Sequence, residues 1–103
     1  MRSSDDPLAS IDPVIHAPAR LRLVTQLYVV DHADATFLVN ETGLTWGNLA
    51  THLRKLENAG YVTIDKRIEG RKPRTLISLT PQGRTAFDEY RTGLQAALND
   101  LPH

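Results

Sequence analysis

The chain has 103 residues, 12 Lys and Arg against 12 Asp and Glu, no cysteine and a hydrophobic fraction of 41%. That length supports one domain with a modest core, and the lack of cysteine excludes a disulfide framework and a thiolate metal site. No apolar run approaches the roughly 20 residues of a membrane helix, and the opening MRSSDDPLAS has no signal-peptide core, so a cytoplasmic protein is expected.

Residues 1–11 read as a flexible N-terminus and 12–103 as a single domain. Asp12-Pro13 is a helix-start pair that opens a short turn holding Val14, Ile15 and His16. Pro18 restarts the helix. Leu21, Val24, Leu27 and Tyr28 then form a stripe at helical spacing, with Leu23 and Val30 on adjoining faces and Arg20 and Arg22 pointing outward. Asp34 caps a second helix over roughly 35–42 that buries Phe37 and Leu38, and Gly43 stops it. Thr45 caps a third helix over roughly 46–58, ended by Gly60. Two helices joined by a short Gly-containing turn make a helix-turn-helix.

On a wheel of about 100° per residue, Leu49, Leu53 and Leu56 share one face of the third helix. Gly47, Asn48, Thr51, Arg54, Lys55 and Asn58 share the opposite face, which carries no large apolar side chain. Amide, hydroxyl, guanidinium and ammonium groups are those that read base edges and phosphates. A polar helix face is also what any surface helix shows. Trp46 and His52, on the flanks, suit packing as readily as contact.

Tyr61 to Ile64 alternates as a half-buried strand, and Thr75 to Leu79 forms a second. Between them Asp65 to Arg74 reads as a long polar turn with Gly70 and Pro73. From Thr45 to Arg74 seven bases face three acids, a net charge of +4 that leaves −4 for the rest. One basic face and one acidic face suit a nucleic-acid binder despite the overall neutrality.

Thr80-Pro81 starts the last helix, which runs over about 81–101. Phe87, Tyr90, Leu94, Ala97 and Leu101 recur at spacings of three and four, an a/d-type seam. The proximal part is expected to pack on its own domain. Leu94, Leu98 and Leu101 are expected to pair with a second copy.

The segments GLTWGNLATHLRKLENAGYV and IEGRKPRTLISLTPQGRTAF resemble the winged helix-turn-helix transcriptional regulators of the MarR/ArsR type. DPVIHAPARLRLVTQLY resembles their first helix, so the likeness spans roughly residues 12–90. It implies an α+β fold: a three-helix core, a two-stranded β wing and a C-terminal dimerisation helix. It also implies a homodimer on a pseudo-palindromic operator in double-stranded DNA. The recognition-helix role falls on Thr45, Trp46, Asn48, Thr51, His52 and Lys55, beside Arg54 on the polar face. The wing role falls on Arg67, Arg71, Lys72 and Arg74. The cysteine-rich sites of metal-sensing ArsR members have no counterpart, and larger MarR members have longer terminal helices that build a ligand pocket. No effector is identified by the residues.

Two other classes compete. For an enzyme, the candidates are His16, His32, His52 and His103, with Asp31, His32 and Asp34 as the one local cluster. No Gly-rich phosphate loop or nucleophile motif accompanies them, so no enzyme, cofactor or metal is expected. The other rival is a winged helix used as a protein–protein interaction module without DNA binding, since fold does not fix function.

Overall fold

The computed structural model describes residues 7–101. A 3-10 turn over Pro7–Ser10 leads to α1 (Pro18–Tyr28), β1 (Ala33–Asp34), α2 (Ala35–Thr42), α3 (Trp46–Asn58), β2 (Val62–Glu69), β3 (Lys72–Leu79) and α4 (Pro81–Asn99). The expected flexible N-terminus falls largely on residues 1–6, outside the described residues. Pro7–Ser10 is ordered against α4, and Ile11 joins the core, so the packed domain begins earlier than expected.

The helix starts follow the capping residues. Asp12 Oδ1 accepts from the Val14 amide at 2.8 Å and orders the first turn. Asp34 Oδ1 accepts from the Thr36 amide at 2.7 Å, Thr45 Oγ1 from Asn48 at 3.1 Å, and Thr80 Oγ1 from Gly83 at 2.9 Å. Each removes an orphan donor from the first turn of a helix.

α1 runs through the middle of the domain, touching α2, α3 and β3. Leu23, Val24 and Leu27 are fully buried, whereas Leu21 and Tyr28 are half-buried. Leu23 is therefore more central than its place beside the expected stripe, because a helix packed on several sides buries a wider arc. Arg22 is exposed, as expected, whereas Arg20 is half-buried, and both turn their guanidinium groups to backbone. Arg20 Nε donates to the Val14 carbonyl at 2.6 Å, and Arg22 Nη1 donates to the Thr42 carbonyl at 3.0 Å. The Thr42 carbonyl lies at the end of α2, where helical carbonyls have no partner within the helix. On α2, Leu38 is buried as expected, but Phe37 is 41% exposed. This short helix turns Ala35, Leu38 and Thr42 inward, and Phe37 lies off that stripe.

The sheet is antiparallel in the order β1-β3-β2. The expected long polar turn is strand almost to its tip: Lys66 pairs with Thr75, Arg67 with Arg74, Ile68 with Pro73 and Glu69 with Lys72. Ladder hydrogen bonds belong to the backbone, so polar side chains do not prevent them. Only Gly70 and Arg71 remain as the turn. Gly70 has φ 66°, as the first central position of a two-residue II′ turn requires.

α4 packs back through Gly83, Phe87 and Tyr90. A Cβ on Gly83 would overlap the Tyr61 carbonyl group, whose carbon lies 2.9 Å away. The clash is with backbone and cannot be relieved by a rotamer change. Gly83→Ala should cost roughly 3 kcal/mol of stability, read from urea denaturation. A loss under about 0.5 kcal/mol would mean that α4 slides freely over Tyr61.

Candidate nucleic-acid interface

α3 divides its side chains as the wheel demands. Leu49, Leu53 and Leu56 are buried, and Gly47, Asn48, Thr51, Arg54, Lys55 and Asn58 are exposed. Trp46, at the first helical position, is 57% exposed. The Thr51 hydroxyl donates to the Gly47 carbonyl at 3.0 Å, so its oxygen faces outward as an acceptor. Thr45 is exposed and already engaged as the cap.

His52 stands apart from this set. It is half-buried on the flank toward α1, with Nδ1 3.3 Å from Arg20 Nη1. Burial first, then the positive charges of Arg20 and Lys55, hold its pKa below the ordinary 6.5. The neutral ring keeps Nδ1 as an acceptor for the guanidinium.

The wing has two chemically different faces. Asp65, Arg67 and Glu69 share the outer face with their partners Leu76, Arg74 and Lys72. Arg67 pairs with Asp65, and Arg74 bridges Asp34 at 3.0 Å and Glu69 at 3.3 Å. Ile64, Lys66 and Ile68 share the inner face, toward α3. Ile68 is 75% exposed beside Pro73. Among the described residues no carboxylate lies within 4 Å of Arg54, Lys55, Lys66, Arg71 or Lys72.

Between α3 and the inner wing face runs an open cleft of about 520 Å³, lined by Trp46, Ala50, Arg54, Glu57, Ile64 and Lys66 among others. Trp46, Ala50 and Arg54 occupy the wing side of the helix, Asn48 and His52 the opposite flank. Lys66 was visible in the sequence as one more base on a strand. Its place in the cleft depends on strand parity, which the expected long turn concealed.

The remaining candidates separate. Asp31 and His32 are exposed, while Asp34 uses one oxygen for the α2 cap and the other for Arg74. His16 Nδ1 lies 2.9 Å from the Tyr90 hydroxyl, a contact between the first turn and α4. His103 is outside the described residues. Leu98 and Leu101 are 56% and 60% exposed, whereas Leu94 packs partly against the domain's own core.

The pattern described as the winged helix DNA-binding domain matches residues 19–98. The chain belongs to this winged-helix family. A transcriptional regulator homologue from Pyrococcus horikoshii OT3 has the same fold with a TM-score of 0.84 and 29% identity, over 98% of this chain and all of that one. A protein named as a regulator of the MarR family from Enterococcus faecalis V583 superposes with a TM-score of 0.73 at 23% identity, over 94% of this chain and 84% of its own. An uncharacterized protein of Methanocaldococcus jannaschii is 32% identical over 77 residues, covering 75% of this chain and 84% of the relative. The architecture is thus that of a winged helix DNA-binding domain, shared over its full length with the Pyrococcus protein. Among the described residues no helix is long and apolar enough to cross a membrane.

The depressed His52 pKa carries a sign. The unfolded chain binds the proton more readily than the folded one, so stability contributed above pH 6.5 is lost as pH falls through the folded value. Acidification from pH 7.5 to 5 should therefore destabilise wild type more than His52→Gln. Parallel denaturation midpoints for the two proteins across that range would remove His52 from the acid response.

Proposed function

We propose that this winged helix is a sequence-specific regulator of transcription. It would bind double-stranded DNA in the cytoplasm, as a homodimer on a pseudo-palindromic operator. The observation that carries the reading is the placement of cations that have no carboxylate partner among the described residues. Arg54 and Lys55 on α3, Lys66 in the cleft, and Arg71 and Lys72 at the wing tip surround a helix face of hydrogen-bonding groups. With α3 in a major groove, Asn48 and Thr51 meet base edges. Thr45 and Trp46 lie at the helix N-terminus beside the sugar–phosphate edge, and Lys55 follows one turn later. His52 supports this face from behind. The wing tip reaches the adjoining groove, and the strand between the grooves passes over the cleft between Arg54 and Lys66. Arg71 and Lys72 neutralise phosphates and release counterions.

The dimer is built in this reading from the distal part of α4. Leu98 and Leu101 present apolar surface there, and Leu94 lies at its inner edge. A two-fold arrangement would set two α3 helices about 34 Å apart, one DNA turn. The exposed Trp46 and Ile68 support a second reading, a protein-interaction module. Salt separates the two, because phosphate contacts lose affinity steeply with ionic strength and an apolar interface does not.

Selection of bound sequences from random duplex DNA tests the reading directly. An inverted repeat with half-sites one turn apart is expected, and no enrichment would overturn it. Replacing Arg71 and Lys72 together by Ala should weaken binding to all duplexes alike and reduce the salt slope by roughly two. Asn48→Ala should instead relax preference at one operator position, by roughly 1–3 kcal/mol.

Assembly has its own test. Leu98→Asp with Leu101→Asp should give a folded monomer in sedimentation, with unchanged helical content and weak binding to single half-sites. A wild-type protein that sediments as a monomer at micromolar concentration would refute the dimer.

A further inference from the structure

The wing is attached to the helical body by very little backbone. β1 pairs with β3 only at Ala33↔Ile77 and Asp34↔Leu76. Beyond Leu76 the hairpin continues as two strands alone, a unit of marginal rigidity by itself. Its inner face looks across the open cleft toward α3. Among the described residues its outer face carries one ion pair to the body past the end of the β1 ladder, the contact between Asp34 and Arg74.

That contact has an unusual division of labour. Asp34 Oδ1 accepts from the Thr36 amide and caps α2, while Oδ2 accepts from Arg74 Nε at 3.0 Å. Arg74 Nη1 extends to Glu69 Oε1 at 3.3 Å, close to the tip. One guanidinium therefore joins the first turn of the helix-turn-helix to the far end of the wing. The Thr36 amide and then Arg74 hold the Asp34 carboxyl below its usual range, so it stays ionised at neutral pH.

We propose that Arg74 is a positioning residue rather than a phosphate contact. By bridging Asp34 and Glu69 it sets the angle of the wing over α3, and it leaves Lys66 in the cleft and Arg71 and Lys72 at the tip, Lys72 on the same face as Arg74 but outside its ion pairs, to meet DNA. The proposal deepens the DNA-binding reading and rests on it for its consequence, but the mechanical link stands on the ion-pair geometry alone.

Asp34→Asn separates the two duties of the carboxylate. Asn retains an oxygen for the Thr36 amide and remains a good cap, but it removes the charge that Arg74 binds. Arg74→Gln removes the other partner. Positioning predicts that each substitution weakens duplex binding about fivefold, the worth of an exposed ion pair. The double variant should lose no more than either single one. The salt slope of Arg74→Gln should change by well under one unit. A direct phosphate contact predicts the opposite sign for Asp34→Asn. Releasing Arg74 and deleting a negative charge would then raise affinity, and Arg74→Gln would lower the slope by about one. That result would overturn the proposal.

A measurement without DNA keeps the two readings apart. The chain has no cysteine, so Glu41→Cys on α2 and Ile68→Cys on the wing, both exposed positions, accept spin labels selectively. The distance distribution from pulsed EPR should be narrow in the labelled parent and broader after Asp34→Asn or Arg74→Gln. Unchanged widths would overturn the link whatever DNA does. Broadened widths in a protein that binds no duplex would keep the link and reject the DNA-binding reading.

Discussion

The junction between α3 and β2 holds together every element on which the interface depends. The Thr80 amide donates to the Tyr61 carbonyl at 2.9 Å, and the Thr80 hydroxyl donates to the Gly60 carbonyl at 2.6 Å. Gly83 lies directly against the same Tyr61 backbone. The Tyr61 hydroxyl donates to Asp12. Three parts of the chain distant in sequence thus meet within one turn of backbone: the end of α3, the cap of α4 and the first turn of the domain. The angle of α3 to the sheet, and of α4 to both, is fixed here by hydrogen bonds and close contact rather than by side-chain volume. The Asp12 hydrogen bond, burial, and the negative charges of Asp12 and Glu89 push the Tyr61 phenol up to about 12. The junction therefore keeps its donor throughout the neutral range.

This arrangement explains which parts were legible in the sequence. Caps and breakers act over two to four residues. Thr45, Asp34 and Thr80 accordingly identified the starts of α3, α2 and α4, and the leucine spacing identified the buried face of α3. The wing was harder. Its strands between Asp65 and Arg74 have no apolar face to bury, so alternation, the signal for a strand, fades where the core ends. β1 has two residues, and no periodicity can be read from two. Leu23, Phe37 and Arg20 depart from their expected places for a different reason. Their environments depend on which elements lie on either side, and helical spacing carries no information about neighbours.

The same limit applies to charge. From sequence alone, Arg67, Arg71, Lys72 and Arg74 form one basic run. The hairpin sorts them by parity. Arg67, Lys72 and Arg74 fall on the outer face among Asp65, Glu69 and Asp34, with Lys72 nearest the tip, while the turn carries Arg71 outward beyond those acids. Lys66, two residues from the nearest member of its own inner face in each direction, enters the cleft instead. A run of bases is therefore a poor guide to how many positive charges face a ligand. Strand register decides it.

Net neutrality is then compatible with a surface that attracts DNA. Charges separated by more than a Debye length of about 8–10 Å are largely screened at physiological ionic strength, so a phosphate responds to its local neighbours. Around α3 and the wing tip those are Arg54, Lys55, Lys66, Arg71 and Lys72, with Glu57 the acid on the cleft side. Asp88 and Glu89 are exposed on α4, where Asp88 accepts from the Tyr28 hydroxyl at 2.7 Å. Asp65 and Glu69 are engaged by arginines on the outer wing face. The acids that cancel the formal charge thus lie mostly on other elements or are already paired. Placing them there costs the basic face little of its local field and leaves the molecule without a large overall charge that would bind polyanions indiscriminately.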